Sequence, residues 1–202
     1  MNELNVNEKK LTSPSNIAEG FNGFFSNIGP NLAEEIGRTD CNFRQYIKKT
    51  ESEFAAFKAV AVHNVCHLLC QLSGSKATGV DKISSKIIKI SAPIISSSLT
   101  YIFNQAITLC TFPNEWKIAR VMSLFKSGKR NLPGNYRPIS VLPVISKVME
   151  RIIYTQLYDY LTTNKLLSEH HFGFRKYHST ATALLDCTHS WYINMDRKLF
   201  NL

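Results

Sequence analysis

From Ile145 onward the apolar residues Ile145, Val148, Met149, Ile152, Ile153, Leu157, Tyr160 and Leu161 recur at steps of three and four. That spacing forces one solution: a helix of several turns with a single apolar face that must be buried. Ser140 is a candidate cap for it, and Pro143 is tolerated only in its first turn. Upstream, Arg120 to Phe125 is short, largely apolar and free of breakers, which predicts a strand. Between them, residues 127–135 hold two glycines and a proline, the composition of a turn.

Charge is concentrated in the same stretch. Lys117, Arg120, Lys126, Lys129, Arg130, Arg137, Lys147 and Arg151 face a single acid, Glu150. A strand ending in Lys126, a basic turn, and Tyr136-Arg137 returning beside it would hold several cations over one spot. Phosphate oxygens suit that arrangement, with a lysine as point charge and an arginine as bidentate fork. Charge alone equally describes a solvated basic loop.

The 202 residues carry a net charge of +9, with 44% apolar residues, enough for a core. Residues 1–75 have seven Lys/Arg and eight Asp/Glu, whereas residues 76–202 have seventeen and seven. The basic remainder is expected to face a polyanion, with nucleic acid favoured over a membrane surface because the cations lie in turns and mixed segments. No apolar run is long enough for a membrane span and the N-terminus has no signal core, so the expectation is an intracellular protein, nuclear or cytoplasmic, without membrane contact. Five scattered cysteines predict reduced, buried thiols.

Residues 1–12 read as linker-like. Asn16 and Glu19 are spaced as a capping pair for a helix bearing Ile17, Phe21, Phe24, Phe25 and Ile28, which Gly29-Pro30 is expected to stop. A short helix over 31–36 and a polar connection through residue 52 would follow. Residues 53–72 are helical by period. On that helix His63/His67 and Cys66/Cys70 each share a face, but no second pair completes a metal site, so none is assigned. Residues 84–91 and 93–110 read as two core helices, and 180–191 as a last one. Gly74 and Gly79 begin a phosphate-loop pattern, which fails because Val80-Asp81 stands where Lys-Ser/Thr is required. Between residues 164 and 180, aromatics interleave with Arg, Lys and His, a pattern suited to base stacking with phosphate neutralisation, or simply to a loop with apolar anchors.

The wording of these stretches resembles one family. The phrases W-K-x-A-x-V (116–121), K-S-G-K (126–129) and N-Y-R-P-I-S-V-L-P-V-I-S-K-V-M-E-R-I-I (135–153) resemble the fingers region of reverse transcriptases from non-LTR, LINE-type, jockey-like retrotransposons. K-A-T-G-V-D-K-I-S (76–84), G-F-R-x-x-H-S-T (173–180) and I-A-x-x-F-N-x-F-F-S-N-I-G (17–29) are similar to further stretches of the same elements. The family usually has Gln where this chain has His171.

The resemblance implies a mostly helical α+β chain, the fingers portion of a right-hand polymerase fold with the palm largely missing. Residues 1–52 would be a linker and pre-polymerase helix, and 53–202 a partial reverse transcriptase domain. In a complete RNA-directed DNA polymerase, Lys126 and Arg137 would bind the incoming deoxynucleotide triphosphate. Lys76, Lys82 and Arg175 would touch the backbone of RNA template or DNA primer. The catalytic carboxylates and their magnesium would lie beyond residue 202, so no catalytic or metal-binding residue and no cofactor is assigned, and the 202 residues are expected to be inactive alone. Asp186 and Asp196 lack the surrounding strand. The alternative is a non-catalytic RNA- or DNA-binding remnant, or a pseudogene product without function.

Overall fold

A computed structural model describes residues 3–6, 9–37, 42–47 and 53–199. In chain order these form β1 (Leu4–Val6), β2 (Lys9–Leu11), α1 (Pro14–Glu35), a 3-10 turn (Phe43–Tyr46), α2 (Val62–Cys70), α3 (Ser85–Thr108), α4 (Asn114–Lys117), β3 (Arg120–Phe125), β4 (Tyr136–Val141), α5 (Val144–Thr163) and α6 (Thr180–Asp196). The chain is mostly helical, with two separate antiparallel hairpins, β1–β2 and β3–β4. It divides into two compact units, Met1–Ile47 with Ala56–Tyr154, and Lys48–Ala55 with Thr155–Leu202. No helix among the described residues is long and apolar enough to cross a membrane.

The core of the first unit is built by α2, α3 and the first turns of α5. Val65, Leu69, Ile88, Ala92, Phe103, Val144, Val148, Met149 and Ile152 are buried together. Val148, Met149 and Ile152 belong to the stripe predicted from sequence. Trp116 closes the core edge-on to Phe103 (centroids 5.7 Å) and Phe112 (5.9 Å). The Ser146 hydroxyl, fully buried on α5, donates to the Trp116 carbonyl at 3.1 Å, so its burial leaves no donor unmet.

Several boundaries differ from the sequence reading, each for an identifiable reason. Ser140 caps no helix: it lies in β4 opposite Val121, and α5 begins after Pro143. The helix expected over 53–72 is confined to Val62–Cys70, because the Asn104 side chain takes both the N–H (2.8 Å) and the carbonyl (3.0 Å) of Val60, as a neighbouring strand would. Residues 85–108 form one helix with Pro93 inside it, not two. Burial of Ile88, Ala92, Ser96, Thr100 and Phe103 along α3 outweighs the roughly 3 kcal/mol that an internal proline costs. Likewise α1 passes through Gly29-Pro30 to Glu35, and its cap is Ser13, whose hydroxyl accepts from the Asn16 N–H at 3.2 Å, with Pro14 at the first helical position. The opening residues are not merely a linker. Leu4 pairs with Leu11 across the first hairpin and is fully buried, and the Lys10 ammonium, hydrogen-bonded to Glu3, holds that carboxyl below its usual range.

The second unit contains the end of α5, the loop that follows, and α6. Ser179 caps α6 in a reciprocal box with Thr182. Phe54 meets Tyr160 edge-on at 5.1 Å.

Gly79 is where the fold is least tolerant. A Cβ there would stand 2.6 Å from the Pro143 nitrogen and 2.9 Å from the Leu142 carbonyl carbon, both backbone atoms that cannot swing aside. Gly79→Ala is therefore expected to destabilise the protein by about 1–3 kcal/mol. Gly74→Ala, whose Cβ would meet only the Lys86 Cβ at 3.8 Å, should change little, and urea unfolding of the two variants side by side checks the contrast.

Candidate nucleotide and nucleic-acid interface

The β3–β4 hairpin pairs Arg120 with Val141, Met122 with Ile139, Leu124 with Arg137 and Phe125 with Tyr136. The Lys126 N–H donates to the Asn135 carbonyl at 2.8 Å, which carries the pairing one step further. Side chains alternate across a strand, so Lys126 falls on the face that carries Leu124 and Arg137, a diagonal neighbour of Arg137. The two cations that the sequence singled out for a triphosphate are thus brought together. Both are exposed.

The opposite face is the anchor. Phe125 and Tyr136 meet edge-on at 5.3 Å, and Tyr136 meets the buried Phe21 of α1 at 4.9 Å. The phenylalanine stripe of α1 is therefore the support of the hairpin. The turn between the strands is held as firmly. Gly128 has φ +87, a conformation suited to glycine, and the Asn135 amide donates to the Lys129 carbonyl at 2.8 Å. The Tyr136 hydroxyl donates to the Arg130 carbonyl at 2.7 Å, and the Arg130 guanidinium lies over the Phe125 ring at 4.7 Å. Among the described residues, Lys126, Lys129, Arg130 and Arg137 have no carboxylate within 4 Å. Four uncompensated cations on a fixed frame make a strongly electropositive tip.

Lys76 and Lys82 sit on the exposed loop between α2 and α3. That loop is tied to the base of the hairpin: the Arg120 guanidinium donates to the Thr78 carbonyl at 3.2 Å, and Gly79 lies against Leu142-Pro143. Lys82 itself has φ +58, and the Asp81 carboxylate accepts from the Ile83 N–H at 3.2 Å, a local turn leading to the Ser84 cap of α3. These two lysines thus share a rigid support with Lys126 and Arg137.

Arg175 belongs to the second unit and already has structural work. Its Nη1 donates to the carbonyls of Ser168 (2.8 Å) and His171 (3.2 Å), while its buried Nε has no partner among the described residues. Beside it Phe174 and Tyr177 have φ +58 and +64, rare for bulky side chains, and both rings are exposed to solvent. Lys176 lies 4.9 Å from the centre of the Tyr177 ring. Asp186 stands 3.6 Å from His170.

The structural contributions of Asn135, Tyr136 and Arg120 escaped the sequence reading. Only the turn composition around Gly128 hinted that its flanks would be needed to fix it. Among the described residues the cysteines are free but not buried as expected: Cys66 is half-buried and Cys70, Cys110 and Cys187 are exposed. On α2, partial desolvation and the neighbouring Cys66 push the Cys70 thiol upward. Among the described residues no three His, Cys, Asp or Glu stand close enough to hold a metal.

No protein-family model matches the chain. It is 34% identical over 124 residues to a probable RNA-directed DNA polymerase from transposon BS of Drosophila melanogaster, and 36% identical over 121 residues to one from transposon X-element of the same species. It is 32% identical over 145 residues to the RNA-directed DNA polymerase from mobile element jockey of that fly. This chain is homologous to jockey-like non-LTR retrotransposon reverse transcriptases. The matches cover 61%, 59% and 70% of the chain but only 14%, 13% and 16% of those polymerases, so the homology is to a small part of each.

The side-chain bond from Asn135 is what presents Lys129 and Arg130 in a fixed turn. Asn135→Ala is expected to free that turn, and limited trypsin digestion, followed by mass spectrometry, should show cleavage after Lys129 and Arg130 several times faster than in the unmodified chain.

Proposed function

We propose that this chain is the template- and nucleotide-handling fingers portion of a retrotransposon RNA-directed DNA polymerase, with Lys126 and Arg137 gripping the triphosphate of an incoming deoxynucleotide. The reading rests on one observation above the others: the hairpin register sets these two cations a diagonal step apart on an exposed face, without a carboxylate partner among the described residues. A triphosphate carries charge along three linked groups, so a lysine ammonium and an arginine fork a diagonal step apart can bind neighbouring phosphates. Lys76 and Lys82, on the loop tied to the same hairpin, would take backbone phosphates of RNA template or DNA primer. Arg175 would do so through the part of its guanidinium not spent on Ser168 and His171.

Phosphoryl transfer by such polymerases uses magnesium ions held by paired carboxylates, which stabilise the attacking and leaving oxygens. The acids among the described residues do not fit that task. Among the described residues no cluster of three or more potential ligands exists, Asp186 faces His170, and Asp196 ends α6. On this reading the 202 residues bind and position, and the chemistry belongs to other residues.

A second reading, a nucleic-acid-binding module without chemistry, is favoured by the seventeen Lys/Arg against seven Asp/Glu after residue 75 and by the exposed Phe174 and Tyr177 in a basic loop. It differs in its requirement for a triphosphate.

Two outcomes are expected. Titration of a fluorescent deoxynucleoside triphosphate should show binding weakened about tenfold or more by Lys126→Ala and by Arg137→Ala, each being the loss of a charge-assisted contact. Equal binding by all three proteins would refute the triphosphate grip, and retention of single-stranded RNA binding alone would favour the second reading. The purified 202 residues should extend no primer on an RNA template with magnesium and all four deoxynucleotides; extension abolished by Lys126→Ala would overturn the division of labour.

A further inference from the structure

The two edges of the β3–β4 hairpin are not equivalent. Hydrogen-bonded pairs alternate along an antiparallel ladder. Because Lys126 bonds to Asn135, the bonded pairs are Leu124–Arg137, Met122–Ile139 and Arg120–Val141. Val121, Ser123 and Phe125 then turn their N–H and C=O groups away from β4. Pro138, opposite Ser123, agrees with this phase, since it has no N–H to give the ladder. On the outer side of β4, that proline interrupts the row of donors. On the outer side of β3 nothing does: residues 121–125 contain no proline, glycine or charge. Among the described residues, no group bonds to the main chain of Val121, Ser123 or Phe125 from that side. An edge left so plain is a template for another strand.

Beside this edge runs a groove of about 590 Å³ between α1 and β3, lined by Ile17, Ala18, Phe21, Phe25, Val121 and Ser123 among others. A strand added to β3 would direct alternate side chains into that groove, and the others onto the half-exposed Met122 and Leu124. Both faces of the added strand would meet apolar surface. Its ends would not. Lys117 stands before the strand and Arg120 opens it, and Lys126, Lys129 and Arg130 follow it, with no carboxylate within 4 Å among the described residues. We propose that the β3 edge and the α1–β3 groove form a strand-addition site for an extended peptide segment of a partner protein, apolar at its centre and acidic at its flanks. Nucleic acid is the poorer occupant here. Phosphates accept hydrogen bonds but donate none, so the outward carbonyls of Val121, Ser123 and Phe125 would stay unmet.

The probe is the synthetic peptide Asp-Asp-Val-Thr-Val-Thr-Val-Asp-Asp with a fluorescein label, followed by anisotropy with the full 202-residue chain. Ser123→Pro removes one outward N–H while leaving the ladder to β4 untouched, just as Pro138 does opposite it. It is expected to weaken peptide binding about tenfold or more. The same peptide, N-methylated at alternate residues of its central five, should lose binding to the unmodified chain, which tests the ladder even if Ser123→Pro fails to fold. Unchanged binding of the methylated peptide overturns the proposal, as does binding by Ser123→Pro equal to that of the unmodified chain. Full displacement by single-stranded oligouridylate, with Ser123→Pro binding that RNA normally, would assign the probe to the cationic tip and also overturn it. A dimer in sedimentation that Ser123→Pro abolishes would put a second copy of the chain in the edge, again against an acidic-flanked partner.

Discussion

Backbone meets backbone where the loop between α2 and α3 crosses the junction of β4 and α5. Gly79 lies so close to Leu142 and Pro143 that no side chain fits between them. Through that contact the loop carrying Lys76 and Lys82 is packed directly against the end of the hairpin and the start of the core helix α5. Arg120 reinforces it from β3 by donating to Thr78. Close packing transmits position because main-chain atoms, unlike side-chain tips, cannot rotate out of the way. The placing of the hairpin against the core follows from this junction, and with it the placing of every cation the hairpin bears.

The hairpin is amphipathic in an unusual sense. One face is aromatic and locked to α1 through Phe21, Tyr136 and Phe125. The other mixes apolar side chains with cations and remains open at its tip: Met122, Leu124 and Ile139 are about half exposed beside Arg137 and Lys126. Unpaired cations held near one another repel, and a chain does not hold them so without a fixed frame. Asn135 and Tyr136 supply that frame by tying down the carbonyls of Lys129 and Arg130. The electrostatic tip and the aromatic anchor are two sides of one two-stranded ribbon, which is how a structure this small holds charge rigidly away from its own core. The relatives that the chain resembles are RNA-directed DNA polymerases, and under the proposed reading it is this tip that would meet template and triphosphate.

The second unit works by different means. Its loop depends on Arg175, which spends guanidinium hydrogen bonds on the carbonyls of Ser168 and His171, and it places Phe174 and Tyr177 in backbone conformations that bulky residues seldom adopt. Exposed aromatic rings on strained backbone are costly unless something uses them. The sequence pattern of aromatics among cations was visible beforehand. That Arg175 is an internal brace was not, because a side-chain hydrogen bond to a carbonyl seven residues away leaves no periodic trace.

What the sequence determined by itself was local and periodic. Steps of three and four fixed the α5 stripe, a short apolar run without breakers and the turn residues after it fixed β3 and its turn, and the wording of several stretches pointed to kinship with reverse transcriptases. The same local rules misplaced the helix ends. Pro30 and Pro93 suggested stops, yet α1 and α3 run through them, in α3 because burial along one face exceeds the local cost of a missing hydrogen bond. Residues 53–61 had helical spacing, yet the distant Asn104 took the Val60 main chain. The sequence suggested that Tyr136-Arg137 returns beside Lys126, but only tertiary structure decided the extent of the strand over 136–141, the register that sets Lys126 diagonal to Arg137, and which edge of the hairpin was left open. Register is a relation between two segments, set by hydrogen-bond phase and by packing on a third, and no single segment carries that information in its own residues.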